Sequence, residues 1–318
     1  MSNTFVRLTR RAAAIALAPM LAIGAAGCGE LLEQDAPSRI LESTLQGPSA
    51  AKVVVDGARA AFGCAFQAYV TGLGLITDEL EDTQLAAAGW DWDRRSMLPI
   101  GGNYATAACD GGQQFGVYAP LQTARYTADL ALSNLKGYSD DQVVNRPTLL
   151  ATAALYASYS YLLLGEGFCT MAIDGGAELS QAQVFALAET KFTEAIEAAA
   201  AAGAPAATLG NAARVGRART RLNLATLPGQ AVNTAKLAEA RADAAVVPAG
   251  FKYDVPYATN TSYSRNMLFV RNQESLLYGV APRYQNMTFD GVPDPRVNVV
   301  AGVRGQDNLT DNVYYARK

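Results

Sequence analysis

The feature that most limits what this chain can become is an alanine-dense block of about one hundred residues, from Pro147 to Val246. Its apolar positions recur at helical spacing. It reads as two helical hairpins in succession, the first pairing residues 149–165 with 181–202 and the second pairing 211–226 with 234–246. Small side chains along these helices let two backbones approach closely. The predicted fold is therefore mostly α, with hairpins packed into an α-α bundle and a loop-rich aromatic face hung on it.

Within the second helix, Ala188, Phe192 and Ala195 follow the A-x3-F-x2-A spacing found in the second helix of a tetratricopeptide repeat, with Phe192 placed to insert between neighbouring helices. The chain has 318 residues, half of them hydrophobic and 17% charged, so it can bury a substantial core. Its net charge is −3 and no basic run follows the first eleven residues, which argues against a nucleic-acid partner. There is no histidine. That removes His-based triads, the HExxH zinc motif and the commonest general base, and no cofactor is expected.

Residues 1–27 have the form of a lipoprotein signal peptide. Arg7, Arg10 and Arg11 precede an apolar stretch, 12–26, too short to span a bilayer. The stretch ends Ala25-Ala26-Gly27-Cys28, similar to a lipobox, so Cys28 is the expected lipidation site and the mature N-terminus. Residues 28–48, with Pro37, Gly47 and Pro48, suit a tether, leaving 49–318 as the helical domain. Two further amphipathic helices are expected over 49–72 and 117–136.

Between them lie two candidate sites. Asp78, Glu79, Glu81 and Asp82 place four carboxylates in five residues. Such a cluster suits calcium or acid–base chemistry, or a solvated helix start where negative charge meets the dipole. The stretch 85–116 has no clear periodicity and carries both tryptophans, in the run Trp90-Asp91-Trp92-Asp93-Arg94-Arg95. Aromatic faces beside polar groups suit a sugar ring; alternatively one tryptophan belongs to the core and the other anchors the loop. After Cys28, the three cysteines 64, 109 and 169 allow three single bridges, of which Cys109–Cys169 is preferred because it would tie the aromatic loop to the loop at 165–176. Residues 251–284 are irregular, aromatic and polar, as loops covering a helical scaffold would be.

The order of several segments resembles the SusD/RagB family of outer-membrane nutrient-binding lipoproteins. The carriers are the lipobox, GARAAFGCAFQAYV at 57–70, TDEL at 77–80, LQTARYTADLAL at 121–132, ALYASYSYLLLGEGFC at 154–169, ETKFTEAIEAA at 189–199, ARVGRARTRLNLA at 213–225 and DPRV at 294–297. The resemblance implies a lipid-anchored outer-membrane subunit, not an enzyme, that captures oligosaccharides or other nutrients and passes them to a TonB-dependent, SusC-like transporter. By position it implies ligand contacts from Asp78, Trp90, Trp92, Arg94 and Asn103, with Tyr257 and Tyr263 in support. Family members continue through further helices after DPRV, so it also implies a shortened member or a fragment. Two other functions remain open: a repeat scaffold whose partner is protein only, and a surface glycoside hydrolase using carboxylates of the 78–82 cluster.

Overall fold

The computed structural model describes residues 45–84, 91–98, 116–259, 264–295 and 299–305, together with the backbone of 314–316. Of the two compact units in the chain, the larger, Gln46–Lys318, holds the fold described here. It is mostly helical, as the alanine block requires.

Among the described residues six long helices follow one another: α1 (Ala51–Ile76), α2 (Tyr118–Lys136), α3 (Arg146–Gly167), α4 (Gln181–Ala202), α5 (Ala207–Ala225) and α6 (Thr234–Ala245). Each packs on the next, and α1 also touches α3 as α3 touches α5. The result is three stacked hairpins, with α1, α3 and α5 in one layer and α2, α4 and α6 in the other. The first hairpin is α1–α2, so the two hairpins of the alanine block are the second and third of a series. Each hairpin alone would expose an apolar stripe, and stacking covers it.

Local chemistry explains the helix limits. Ser180 caps α4 in a capping box with Gln183, as the sequence predicts. The Asn233 side chain accepts from the Lys236 backbone N–H at the start of α6. Pro147 sits in the first turn of α3 behind Asn145, whose φ is 57°. α1 ends at Asp78, which adopts φ 58° while Glu79 N–H bonds Gly74 O at 2.8 Å and Asp78 N–H bonds Leu75 O at 3.2 Å. This is a Schellman termination with aspartate at the left-handed position. The acidic cluster therefore follows a helix C-terminus; the expected helix start is not there.

The core lies between the layers. α3 is its centre, buried on nearly every side from Ala151 to Gly165. It is long and apolar enough to cross a membrane, yet most of it is buried within the fold, which marks it as a core helix. Phe192 of α4 is completely buried and meets Tyr159 edge-on with ring centres 4.9 Å apart. A Cβ on Gly216 of α5 would stand 2.2 Å from the Phe192 ring, so glycine is what lets α4 and α5 close. The predicted insertion of Phe192 between neighbours is the observed one.

Short antiparallel strands tie the loops down. β1 (Leu80–Asp82) pairs with β4 (Tyr278–Val280), placing Glu81 opposite Gly279. β2 (Thr170–Ala172) pairs with β3 (Glu178–Ser180), so the stretch at 165–176 expected as a plain loop is largely a hairpin turning at Asp174 and Gly175. β5 (Thr288–Phe289) pairs with β6 (Val292–Pro293), and β7 (Val299–Ala301) with β8 (Tyr314–Ala316).

Candidate functional site

The layer of α1, α3 and α5 forms a groove, and residues 251–258 run through it with side chains alternately half-buried and exposed. They reach it from α6 by way of the Pro248–Gly250 turn, where Gly250 takes φ +75°. Tyr253 hydroxyl lies 2.9 Å from that of Tyr156 on α3. Tyr257 hydroxyl donates to Gly63 O on α1 at 2.7 Å. Gly63 leaves helix backbone bare at that point, and the Tyr257 ring rests on it. Farther along, Gln67 Oε1 accepts from Met267 N–H at 2.6 Å and fixes the exit.

Two cavities flank this segment. The larger, about 590 Å³, is lined by Phe62 and Phe66 of α1, Tyr156 and Tyr159 of α3, and Phe251 and Tyr253. Arg219, Asp254 and Asn266 supply its polar edge. Phe66 stacks on Phe62 with ring centres 5.8 Å apart. The smaller, about 470 Å³, lies toward the start of α1, with Asp56, Arg59, Gln67 and Ser264 among its lining groups. Tyr156, Val255 and Tyr257 belong to both.

The phenols here are firm neutral donors. Burial pushes Tyr159 up to about 12, and burial with Tyr156 alongside pushes Tyr257 up to about 12. Burial, then Tyr156, also raises Tyr253 well above its ordinary value. Glu166, at the end of α3, accepts both guanidinium branches of Arg219 at 2.7 and 2.6 Å and the Asn223 amide at 2.7 Å. Tyr69 hydroxyl adds a fourth bond at 3.2 Å. Arg219 thus borders the larger cavity with its charge already balanced and its plane fixed.

Of the residues expected at the site, Tyr257 is in the groove. Asp78, Trp92 and Arg94 line neither cavity. Trp92 is 6% exposed and packs over Gly72 of α1, with ring atoms 3.5 Å from where a Cβ would be. It is a core residue, which corrects its assignment as a ligand contact. Asp78 is held by Arg95 at 2.7 Å and Arg283 at 3.1 Å. Asp93 joins this acidic region: burial first, then Asp82 and Asp78, raise its carboxyl above the ordinary value. Among the described residues no three His, Cys, Asp or Glu side chains converge as a metal site. Trp90, Asn103, Tyr263 and Cys28 lie outside the described residues.

The cysteines also differ from expectation. Cys169 carries a free, exposed thiol, so the expected Cys109–Cys169 bridge is not formed. Cys64 is the disulfide-bonded one, and its partner lies outside the described residues. Spacing alone cannot choose among three bridges.

The groove aromatics escaped the sequence argument because Phe62, Tyr156 and Tyr159 are indistinguishable from core residues by helical periodicity. A signal was present in Phe251, Tyr253, Val255 and Tyr257, which recur with a period of two. Comparison with protein-family models and with curated proteins gave no match.

Proposed function

We propose that the chain is a lipid-anchored binding subunit of the outer membrane that captures an oligosaccharide or another nutrient and passes it to a TonB-dependent transporter. The observation that carries this reading is the larger cavity. Its volume falls within the roughly 300–1,000 Å³ usual for small-molecule sites, and it combines ring faces with a few polar groups at one edge. Apolar faces of a sugar ring stack on Phe and Tyr, while its hydroxyls have Asp254, Asn266 and the neutral phenols to meet. The lipobox-like sequence at Cys28 supplies the anchor, and the resemblance to SusD/RagB lipoproteins supplies the transporter.

The test is calorimetric titration of the soluble domain from Gly29 onward with a panel of plant and microbial oligosaccharides. Saturable binding is expected for one glycan class, weakened in Phe66→Ala by about 1–2 kcal/mol. Unchanged affinity in folded Phe66→Ala would remove the cavity from the argument. Cys28→Ala is expected in the soluble periplasmic fraction, and its persistence in membranes would refute the anchor.

A further inference from the structure

The larger cavity sorts ligands by charge as well as by shape. Phe66, Tyr159, Phe251 and Tyr253 are half-buried rings on its wall. The face of an aromatic ring is the negative side of its quadrupole, so such a wall favours a cation over an anion of the same shape. Among the described lining residues two carry charge, Arg219 and Asp254. Arg219 is paired at 2.7 and 2.6 Å with both oxygens of Glu166, whose side chain is 13% exposed. It therefore brings no net charge to the rim. Asp254 is exposed, and among the described residues nothing pairs with its carboxylate. Lys252, two residues before it, lines neither cavity. One uncompensated negative charge is left beside the aromatic faces.

We propose that the ligand of this cavity carries an organic ammonium group, held over the ring faces with Asp254 as counter-ion. The substrate class that fits is an oligosaccharide of amino sugars, a narrowing that rests on the nutrient-capture reading. A cavity of about 590 Å³ is more than an ammonium group alone would fill, and it leaves room for the apolar faces and hydroxyls of the attached sugar. A neutral glycan gains the ring contacts but leaves Asp254 unpaired. An anionic one meets Asp254 and an arginine that is already neutralised, so it gains nothing in return. The smaller cavity lacks this character: Arg59 on its wall is exposed and stands 3.7 Å from Asp56, which Lys52 also engages.

The experiment is calorimetric titration of the intact protein at about pH 6, where sugar amines are protonated and carboxylates ionised. The probes are the glucosamine tetramer, its neutral N-acetylated form, the anionic galacturonate tetramer, and choline as an ammonium group without a sugar. The glucosamine tetramer is expected to bind about tenfold tighter than the N-acetylated one, and the galacturonate tetramer not to bind. Asp254→Asn, at an exposed and unpaired position, is expected to cut that ratio about threefold. Asp290→Asn makes the same change in net charge at an exposed residue that lines neither cavity, and is expected to leave the ratio as it is. Equal or tighter binding of the neutral tetramer would overturn the ammonium group and leave nutrient capture standing. So would equal effects of the two substitutions, by reducing the preference to diffuse attraction. Saturable binding of choline but of no tetramer would overturn the amino sugar. No binding of any probe would overturn the proposal, while the wider glycan panel decides nutrient capture separately.

Discussion

At the scale of single residues, absence of a side chain decides as much as presence. Gly216 admits Phe192, Gly72 admits Trp92 and Val117, and Gly165 admits Phe185, whose ring would lie 2.6 Å from an added Cβ. Gly216→Ala is expected to cost about 1–3 kcal/mol, because the obstructing atoms belong to a ring that is itself fully buried. Denaturant unfolding measures it. Adding Phe192→Leu is expected to return part of the loss, so the double-mutant cycle shows positive coupling; additive costs would mean that the close approach is not the cause. Phe192 was legible in sequence, since its helical spacing among alanines already implied insertion. Trp92 was not, because nothing in a Trp-Asp-Trp-Asp run tells a ring that stacks on a ligand from one that plugs a helix junction.

At the scale of elements, α2, α4 and α6 are joined by charge, with two arginines of α5 taking part, where α1 and α3 meet through rings. Asp243 of α6, 5% exposed, accepts from Arg217 at 2.6 and 2.8 Å and from Arg221 at 2.8 Å. Arg221 also reaches Glu189 of α4, which holds Lys236 of α6 as well. Lys191 of α4 pairs with Asp129 of α2 at 2.6 Å, continuing the ladder to the first hairpin. Asp243→Ala removes the carboxylate that Arg217 pairs with, while Arg221 keeps Glu189, and is expected to cost about 3 kcal/mol, seen as a lower denaturation midpoint. A loss near zero would show that the arginines find other partners. Burial works to raise the Glu189 carboxyl, but Lys236 and Arg221 outweigh it and hold it below its ordinary value. A carboxyl depressed on folding contributes stability that is present above its unfolded pKa and lost as pH falls through the folded one. Glu189→Gln is therefore expected to lower stability at neutral pH and to flatten the acid limb of the stability profile. An unchanged acid limb would count against the network.

At the scale of the whole molecule, the segment 251–258 closes the groove with neutral phenols. Tyr159 and Tyr257 are raised from 10.0 to about 12. A group raised on folding contributes stability that is fully present below its unfolded pKa and lost as pH rises through the folded one. The segment is accordingly expected to loosen between pH 10 and about 12, read by phenolate absorbance together with proteolysis near Lys252. In Tyr257→Phe the corresponding phenolate step disappears. Cleavage that begins below pH 10 and is indifferent to Tyr257→Phe would place the weak point elsewhere.

The helices, their order and most of their limits could be read from the chain itself. Alanine density, capping residues and 3.6-residue periodicity are local properties, and a long amphipathic helix satisfies its own backbone wherever it packs. The six helices begin and end within a few residues of expectation for that reason, and the capping box at Ser180 and Gln183 was visible as a spacing. What the chain alone did not determine is which rings face a groove and which fill the core, which cysteine is paired, and that the carboxylates after α1 follow a helix end instead of opening one. Those depend on contacts between residues far apart in sequence, such as Gly63 with Tyr257 or Tyr156 with Tyr253. Helical periodicity reports that a face is covered, but only the packed structure reports what covers it.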